Sequence, residues 1–251
     1  MVAVVVAAGL GLRYGGTKPK PTLRILGKAV VAMAVEGLAA GGVTDAVVVI
    51  NGRTSHLFHM ALTGLPIPVI TTPGGDTRQQ SVERGLDVIR NDPRLAEADV
   101  ILVHDAVRPM MPAYVVEDVI KAVRAGAVAV APAVAVTDSI RLVPNGDESE
   151  NSAFDRSKLR AVQTPQGFAA KVLLESHDRM AELGRDFTDD VTACEMNGHS
   201  VTLVPGSRMG MKITEPADLT VAKALWRVRA SFGHHSGKRF WRQLHRPAVG
   251  R

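Results

Sequence analysis

Short valine-rich runs alternate along this chain with longer amphipathic ones, and that alternation restricts the fold more than any other feature. Strands are expected at residues 2–7, 45–50, 68–71, 100–103, 127–131 and 200–204. Most are apolar at every position, as strands covered on both faces are. Helices are expected between them at residues 29–40, 55–63, 78–90, 112–125, 169–183, 188–197 and 215–229. Strands and helices in such alternation make a doubly wound α/β fold with a mostly parallel sheet, in which ligands bind at the carboxyl ends of the strands.

The 251 residues are 46% hydrophobic, enough for one sizeable core. The single cysteine, Cys194, excludes an intramolecular disulfide and Cys-based zinc sites, and it suits a reducing compartment. The longest apolar run, residues 127–136, is interrupted by Pro132 and falls short of the roughly 20 residues that span a bilayer. The amino terminus enters the first strand without a basic segment, so no signal peptide and no membrane association are expected, and the location expected is cytoplasmic. The net charge of +5 sits in a tail: residues 230–251 hold Lys238, Arg239, Arg242, Arg246 and Arg251 and no acid. The body, residues 1–229, is electrically neutral and offers no bulk attraction for nucleic acid.

One segment breaks the rhythm. Residues 136–168 carry no helical period, and two alternating runs, 137–143 and 159–162, flank Pro144-Asn145-Gly146. This predicts a protruding β-hairpin arm, too long to bury itself and suited to packing on a second subunit.

The loop after the first strand, Ala7-Ala8-Gly9-Leu10-Gly11-Leu12-Arg13, runs on to Pro19-Lys20. A dinucleotide fingerprint would need Gly or Ala where Tyr14 stands and an acid where Asn51 stands. A P-loop would need Lys-Ser/Thr after Gly16, where the order is Thr17-Lys18. What remains is a glycine loop between two cations, Arg13 and Lys20, which suits a triphosphate whose leaving pyrophosphate must be neutralised. Gly74-Gly75-Asp76 before Arg78 and Ser81 reads either as an ordinary turn with Asp76 as helix cap or as a base-recognition loop. Asp105 ends a buried strand, where doubly wound folds place ligand or metal contacts, or else it caps the next turn. Beside it, His104 is either a site residue or a core histidine bonded to backbone. Thr188-Asp189-Asp190 reads as a helix start with Thr188 as cap as readily as a site. Lys212, alone between apolar neighbours just before a helix, is placed near the mouth of the site.

Taken together these blocks resemble a known family. Ala7-Ala8-Gly9-x-Gly11-x-Arg13, Pro19-Lys20, Gly75-Asp76-x-Arg78-x-x-Ser81, His104-Asp105-Ala106-x-Arg108-Pro109, Asp138, Gln163-Thr164-Pro165-Gln166, Thr188-Asp189-Asp190 and Lys212-Ile213-Thr214 stand in the order and spacing of the 2-C-methyl-D-erythritol 4-phosphate cytidylyltransferases. The resemblance implies a Rossmann-like nucleotidyltransferase fold, a homodimer joined through the 136–168 arm, Mg²⁺ as cofactor, and CTP and a polyol phosphate as substrates. It implies that Arg13, Lys20 and Lys212 are the catalytic cations. Ala7, Ala8, Gly9, Gly75, Asp76, Ser81 and Asp105 become nucleotide contacts, with Asp105 also toward the metal. Arg108, Ser139, Arg156, Thr164 and Thr188 become contacts to the acceptor, with Arg156 supplied by the partner subunit. The chain departs from the family pattern at Pro21, Val107, Ser139, Arg141, Arg160 and Gly210-Met211, although Ser139 keeps a hydroxyl and Arg141 a charge. Other polyol-phosphate cytidylyltransferases, such as ribitol 5-phosphate enzymes, share much of the pattern. A non-catalytic nucleotide-binding module is the alternative of another class, and the set Arg13, Lys20, Asp105 and Lys212 argues against it.

Overall fold

A computed structural model describes residues 1–9 and 19–231. In chain order its elements are β1 (Val2–Val6), β2 (Arg24–Ile25), β3 (Lys28–Ala29), α1 (Val30–Ala40), β4 (Asp45–Ile50), α2 (Ser55–Ala61), β5 (Val69–Pro73), α3 (Arg78–Asn91), α4 (Pro93–Ala96) and β6 (Val100–Asp105). There follow α5 (Ala113–Arg124), β7 (Ala129–Ala135), β8 (Ile140–Leu142), β9 (Ser152–Phe154), β10 (Arg160–Val162), β11 (Gln166–Ala169), α6 (Ala170–Glu182), α7 (Asp190–Met196), β12 (Val201–Pro205) and α8 (Pro216–Ser231). Basic residues 232–251 and Arg13 lie outside the described residues.

The central sheet has eight strands in the order β10-β7-β11-β6-β1-β4-β5, with β12 pairing β7 as well. β1, β4, β5 and β6 are mutually parallel and β12 is parallel to β7, whereas β10 and β11 run against their neighbours. The sheet is thus doubly wound and mostly parallel, as the alternation predicts. Its strands are apolar throughout because both faces are covered. Ala3, Val5, Val48 and Leu102 face one core with Val31, Val35, Val115 and Val119 of α1 and α5. Val2, Val4, Val47 and Ile101 face another with Val82, Leu86, Leu173 and Cys194 of α3, α6 and α7. Burying each valine or leucine of this kind contributes about 1.5–3 kcal/mol.

A third, smaller cluster matters for the site. Ile25, Val30, Met33, Met110, Met209 and Ile213 pack with Ala222 of α8. Their burial fixes the segment that carries Lys212 against the loop after β6. Ile213 N donates to Val107 O at 2.9 Å, joining the two loops directly.

The arm is shorter than the sequence suggests. Ile140–Leu142 pairs antiparallel with Ser152–Phe154, not with residues 159–162. Arg160–Val162 instead pairs with Ala133–Ala135 of β7, and Gln166–Ala169, read as part of the arm, lies buried in the central sheet between β6 and β7. The returning limb therefore belongs to the body. Pro165 has no N–H for a ladder and separates the two pieces. Their short length and the intervening polar Gln163-Thr164 hide this broken strand from a search for periodic runs.

Two helix caps also differ from expectation. Thr77, not Asp76, caps α3: its hydroxyl accepts from Gln80 N at 3.1 Å, while Gln80 Oε1 accepts from Thr77 N at 3.3 Å, a reciprocal capping box. Asp189, not Thr188, caps α7 by accepting from Thr192 N at 3.1 Å. In each case the cap lies one residue later than the sequence signal implied.

Candidate active site at the carboxyl edge of the sheet

β1, β5 and β6 all end on one edge of the sheet, and the candidate residues gather there. Ala7, Ala8 and Gly9 leave β1 next to Asp105, because Val6 is in register with Asp105. Ala7 is anchored by its amide to Val49 O at 2.8 Å, and Ala8 O accepts from Asn51 Nδ2 at 3.4 Å. Gly74 follows β5 and faces this turn. A Cβ there would collide with the Ala8 methyl group and stand 2.8 Å from Ser81 Oγ, so only glycine lets the two loops meet. Gly75 and Asp76 complete the loop, with Asp76 N donating to Gln80 Oε1 at 2.8 Å. Ser81 is buried and donates to Thr77 O at 2.9 Å.

Asp105 is the centre. It is buried, and three cations face its carboxylate: Lys212 Nζ at 2.8 Å, Arg78 Nε at 3.4 Å and Arg108 Nε at 3.8 Å. Burial alone would raise its pKa, but the Lys212 ammonium and the Arg78 guanidinium hold it down at about 2, so it is ionised at neutral pH. Arg78 reaches past it to Asp190, Nη2 to Oδ2 at 2.7 Å. Burial disfavours its charge, yet the two carboxylates raise its pKa. Arg108 is pulled down by burial and donates from Nη1 to Gly210 O at 2.7 Å. At Gly210, one of the departures from the family pattern, a Cβ would meet the end of the Met111 side chain, which would have to shift to admit it.

Lys20 follows buried Pro19 and opens a short turn, Lys20–Thr22. Its Nζ donates to Thr214 O at 3.2 Å, two residues beyond Lys212. Thr214 is itself held by Asp218, which accepts from its amide and hydroxyl at 2.7 and 2.6 Å. The two lysines thus converge on one corner although they are far apart in sequence. Of the described cations, Lys20, Lys212, Arg78 and Arg108 form one basic shelf beside the β1 turn. Such a shelf stabilises an anion such as a phosphate or a leaving pyrophosphate.

Beneath Asp105 lies a directional chain of hydrogen bonds. Asp105 N donates to Thr164 Oγ1 at 3.0 Å, Thr164 Oγ1 meets His104 Nδ1 at 3.1 Å, and His104 Nε2 meets Arg108 O at 3.2 Å. Since a carbonyl only accepts, Nε2 carries the proton and Nδ1 accepts from the threonine hydroxyl. Thr164 therefore faces inward and supports the Asp105–Arg108 turn. His104 is fully buried, and burial lowers its pKa from 6.5 to about 4. The unfolded chain binds that proton more readily than the folded one. Stability from this residue is full above about pH 6.5 and falls toward pH 4, by roughly 3 kcal/mol in all. Denaturant midpoints at pH 7 and pH 5 should accordingly fall further in the parent chain than in His104→Gln. Equal falls would show that His104 carries none of the acid sensitivity.

The residues assigned to the acceptor divide. Arg108 and Thr164 belong to this centre, and Thr188 is exposed just before Asp189 and Asp190. Ser139 and Arg156 do not join them within one chain: both are exposed on the arm, where Arg156 donates to Thr137 O. Sequence reasoning left out Arg78, Asp190 and Gln166. Gln166 Oε1 accepts from the amides of Asp190 and Val191, at 3.1 and 3.2 Å, and its Nε2 donates to Asp189 Oδ2 at 2.8 Å. All three stood in the quoted blocks, Gly75-Asp76-x-Arg78, Gln163-Thr164-Pro165-Gln166 and Thr188-Asp189-Asp190, but none was given a role there. Among the described residues no three His, Cys, Asp or Glu side chains cluster to hold a metal, and no helix is long and apolar enough to cross a membrane.

The chain was compared with known proteins. A family model described as 2-C-methyl-D-erythritol 4-phosphate cytidylyltransferase matches residues 1–228. The enzyme of that name from Streptomyces coelicolor is 37% identical over 233 residues, covering 89% of this chain and 83% of its own length. Its counterpart from Saccharopolyspora erythraea is 39% identical over 226 residues, covering 90% and 98%. The crystal structure of the Thermus thermophilus enzyme superposes with a TM-score of 0.74 at 30% identity, covering 90% of this chain and 98% of that one. Fold, edge-of-sheet shelf and full-length likeness agree, and the chain belongs to the 2-C-methyl-D-erythritol 4-phosphate cytidylyltransferase family.

Proposed function

We propose that this chain transfers CMP from CTP to 2-C-methyl-D-erythritol 4-phosphate, releasing pyrophosphate, as a step of isoprenoid biosynthesis. The observation that carries the reading is the convergence of Lys212, Arg78 and Arg108 on Asp105 beside the Ala7–Gly9 segment, with Lys20 held to Thr214 two residues beyond Lys212. An oxygen of the acceptor phosphate attacks the α-phosphorus. A new phosphorus–oxygen bond forms, the bond to the αβ-bridging oxygen breaks, and that oxygen leaves with the pyrophosphate. A phosphate monoester is already an anion near neutral pH and needs no strong base, which agrees with a site of cations rather than a nucleophile–base pair. Cys194, buried and pushed up to about 11 by that burial, takes no part as a thiolate.

In this reading Arg13, Lys20 and Lys212 neutralise the triphosphate. Ala7, Ala8, Gly9, Gly75, Asp76, Ser81 and Asp105 receive the nucleotide. Asp105 would also hold Mg²⁺: one carboxylate together with substrate phosphates is a common way to bind that ion, and a single hard oxygen ligand is what the shelf offers. When bound, the metal supplies further neutralisation of phosphoryl charge. Arg108, Ser139, Arg156, Thr164 and Thr188 would serve the acceptor, Thr164 through its hold on Asp105. A homodimer through the arm accounts for Ser139 and Arg156. It also accounts for three large side chains left open on or beside the arm: Leu142, Phe154 and Val162 are 49%, 43% and 38% exposed.

Pyrophosphate release should be measured with CTP or UTP against 2-C-methyl-D-erythritol 4-phosphate or ribitol 5-phosphate. Turnover with CTP and the methylerythritol substrate, at least about ten times that of the other pairs in kcat/KM, is the expected result. Preference for ribitol phosphate would move the acceptor assignment, and release with neither acceptor would overturn the reading.

A further inference from the structure

Asp190 is wholly enclosed, and both of its carboxylate oxygens are taken. Oδ2 receives Arg78 Nη2 at 2.7 Å, and Oδ1 meets His177 Nε2 at 3.2 Å. Burial opposes its ionisation, but Arg78 and then His177 hold its pKa below the ordinary carboxylate value. His177 lies in α6, is 2% exposed, and sets its ring edge-on against Phe187, centroids 5.1 Å apart. Its Nδ1 is buried with no hydrogen-bond partner. An unsatisfied buried nitrogen destabilises a core, and a leucine at this position would avoid that cost. The imidazole is therefore explained by the bond it does make.

We propose that His177 is a positioning residue for the nucleotide pocket, acting through Asp190 to hold the Arg78 guanidinium against Asp105. The inference rests on reading this edge of the sheet as the CTP site. Arg78 opens α3 directly after the Gly75–Thr77 loop, and its bond to Asp105, at 3.4 Å, is the looser of its two. The grip on Arg78 comes from Asp190. A carboxylate fixed at both oxygens cannot turn about its last torsion. With Oδ1 released it can, and the guanidinium follows. The effect then falls on the residues that Arg78 touches and on the loop it closes, while the acceptor contacts on the arm stay as they were.

The test uses the full chain and three variants, with CTP affinity measured by calorimetry alongside steady-state kinetics. His177→Leu keeps an apolar fill and removes the donor. Asn and Gln carry the same amide, but only Gln places its NH₂ near the position of Nε2. His177→Leu and His177→Asn are expected to raise the Kd and KM for CTP about tenfold with the acceptor KM little changed, whereas His177→Gln stays within about threefold of the parent. A merely structural role would lower melting temperature without this split between Asn and Gln. Should the leucine variant fail to fold, the Asn and Gln pair decides the matter. Parent-like CTP affinity in Leu or Asn, or equal impairment of Asn and Gln, would overturn the proposal. A parent chain that binds no CTP would sink the pocket reading and this one with it. Intact parent binding with indistinguishable variants would sink this one alone.

Discussion

Replacing Lys20 by alanine is expected to lower turnover at least about 100-fold while leaving the fold in place. Lys20 Nζ donates to a backbone carbonyl, Thr214 O, and a bond of that kind contributes only about 1 kcal/mol to stability. The neighbouring Pro19 and Pro21 are buried and keep the turn without it. Its proposed work lies in the transition state, where charge moves onto the leaving pyrophosphate. A fixed cation aimed at such charge is worth about 3–4 kcal/mol by analogy with an oxyanion-hole donor. Steady-state turnover together with a thermal melt separates the two contributions. A folded Lys20→Ala chain that keeps more than half of the parent turnover would remove Lys20 from the mechanism.

Arg156 should produce an equally large effect with a different signature. It is exposed on the arm and apart from Asp105 within its own chain, so the proposed dimer must deliver it to the partner's site. Arg156→Ala and Lys20→Ala homodimers should each be nearly inactive. In a mixed dimer both lesions fall in one site, and the other site is intact. Co-expression with two different tags, followed by isolation of the heterodimer, should thus restore up to about half of the parent activity per dimer. If Arg156 served its own chain, each site would carry one lesion and the heterodimer would stay dead. Arg156→Lys should also be poor, because an ammonium does not reproduce the bidentate grip of a guanidinium on phosphate.

Much of this arrangement was legible before any coordinates. The Val2–Val6 strand announced burial on both faces, and the two packed cores on either side of β1 supply the reason. Asp105 was found by its position at the end of a buried run. Lys212 was found as a lone cation among apolar neighbours. The role of Arg78 was not legible, because its partners stand 27 and 112 residues away and the sequence carries no sign of which carboxylates it will meet. Thr77 and Asp189 took the caps expected of Asp76 and Thr188 because the cap is set by which oxygen reaches the third amide, and any of these side chains could serve. β11 was missed for a related reason. Gln166 is buried yet polar, so it broke the apolar signature of a core strand while capping the amides of Asp190 and Val191.

The broken strand along β7 divides the chain into stretches that can and cannot change length. Residues 143–151 connect β8 to β9 in exposed turns, and an extra residue there alters only the tip of the arm. Residues 163–165 are different. They join a strand registered on Ala133–Ala135 to one registered on both β6 and β7. One inserted residue would force either strand to slip by one position, and a slip by one exchanges its two faces. Gln166 would turn away from the amides of Asp190 and Val191, and Thr164 would leave the amide of Asp105. Related chains should therefore differ freely in length at the end of the arm and hold a constant length at its root, because there the returning strand carries the side chains that hold the site together.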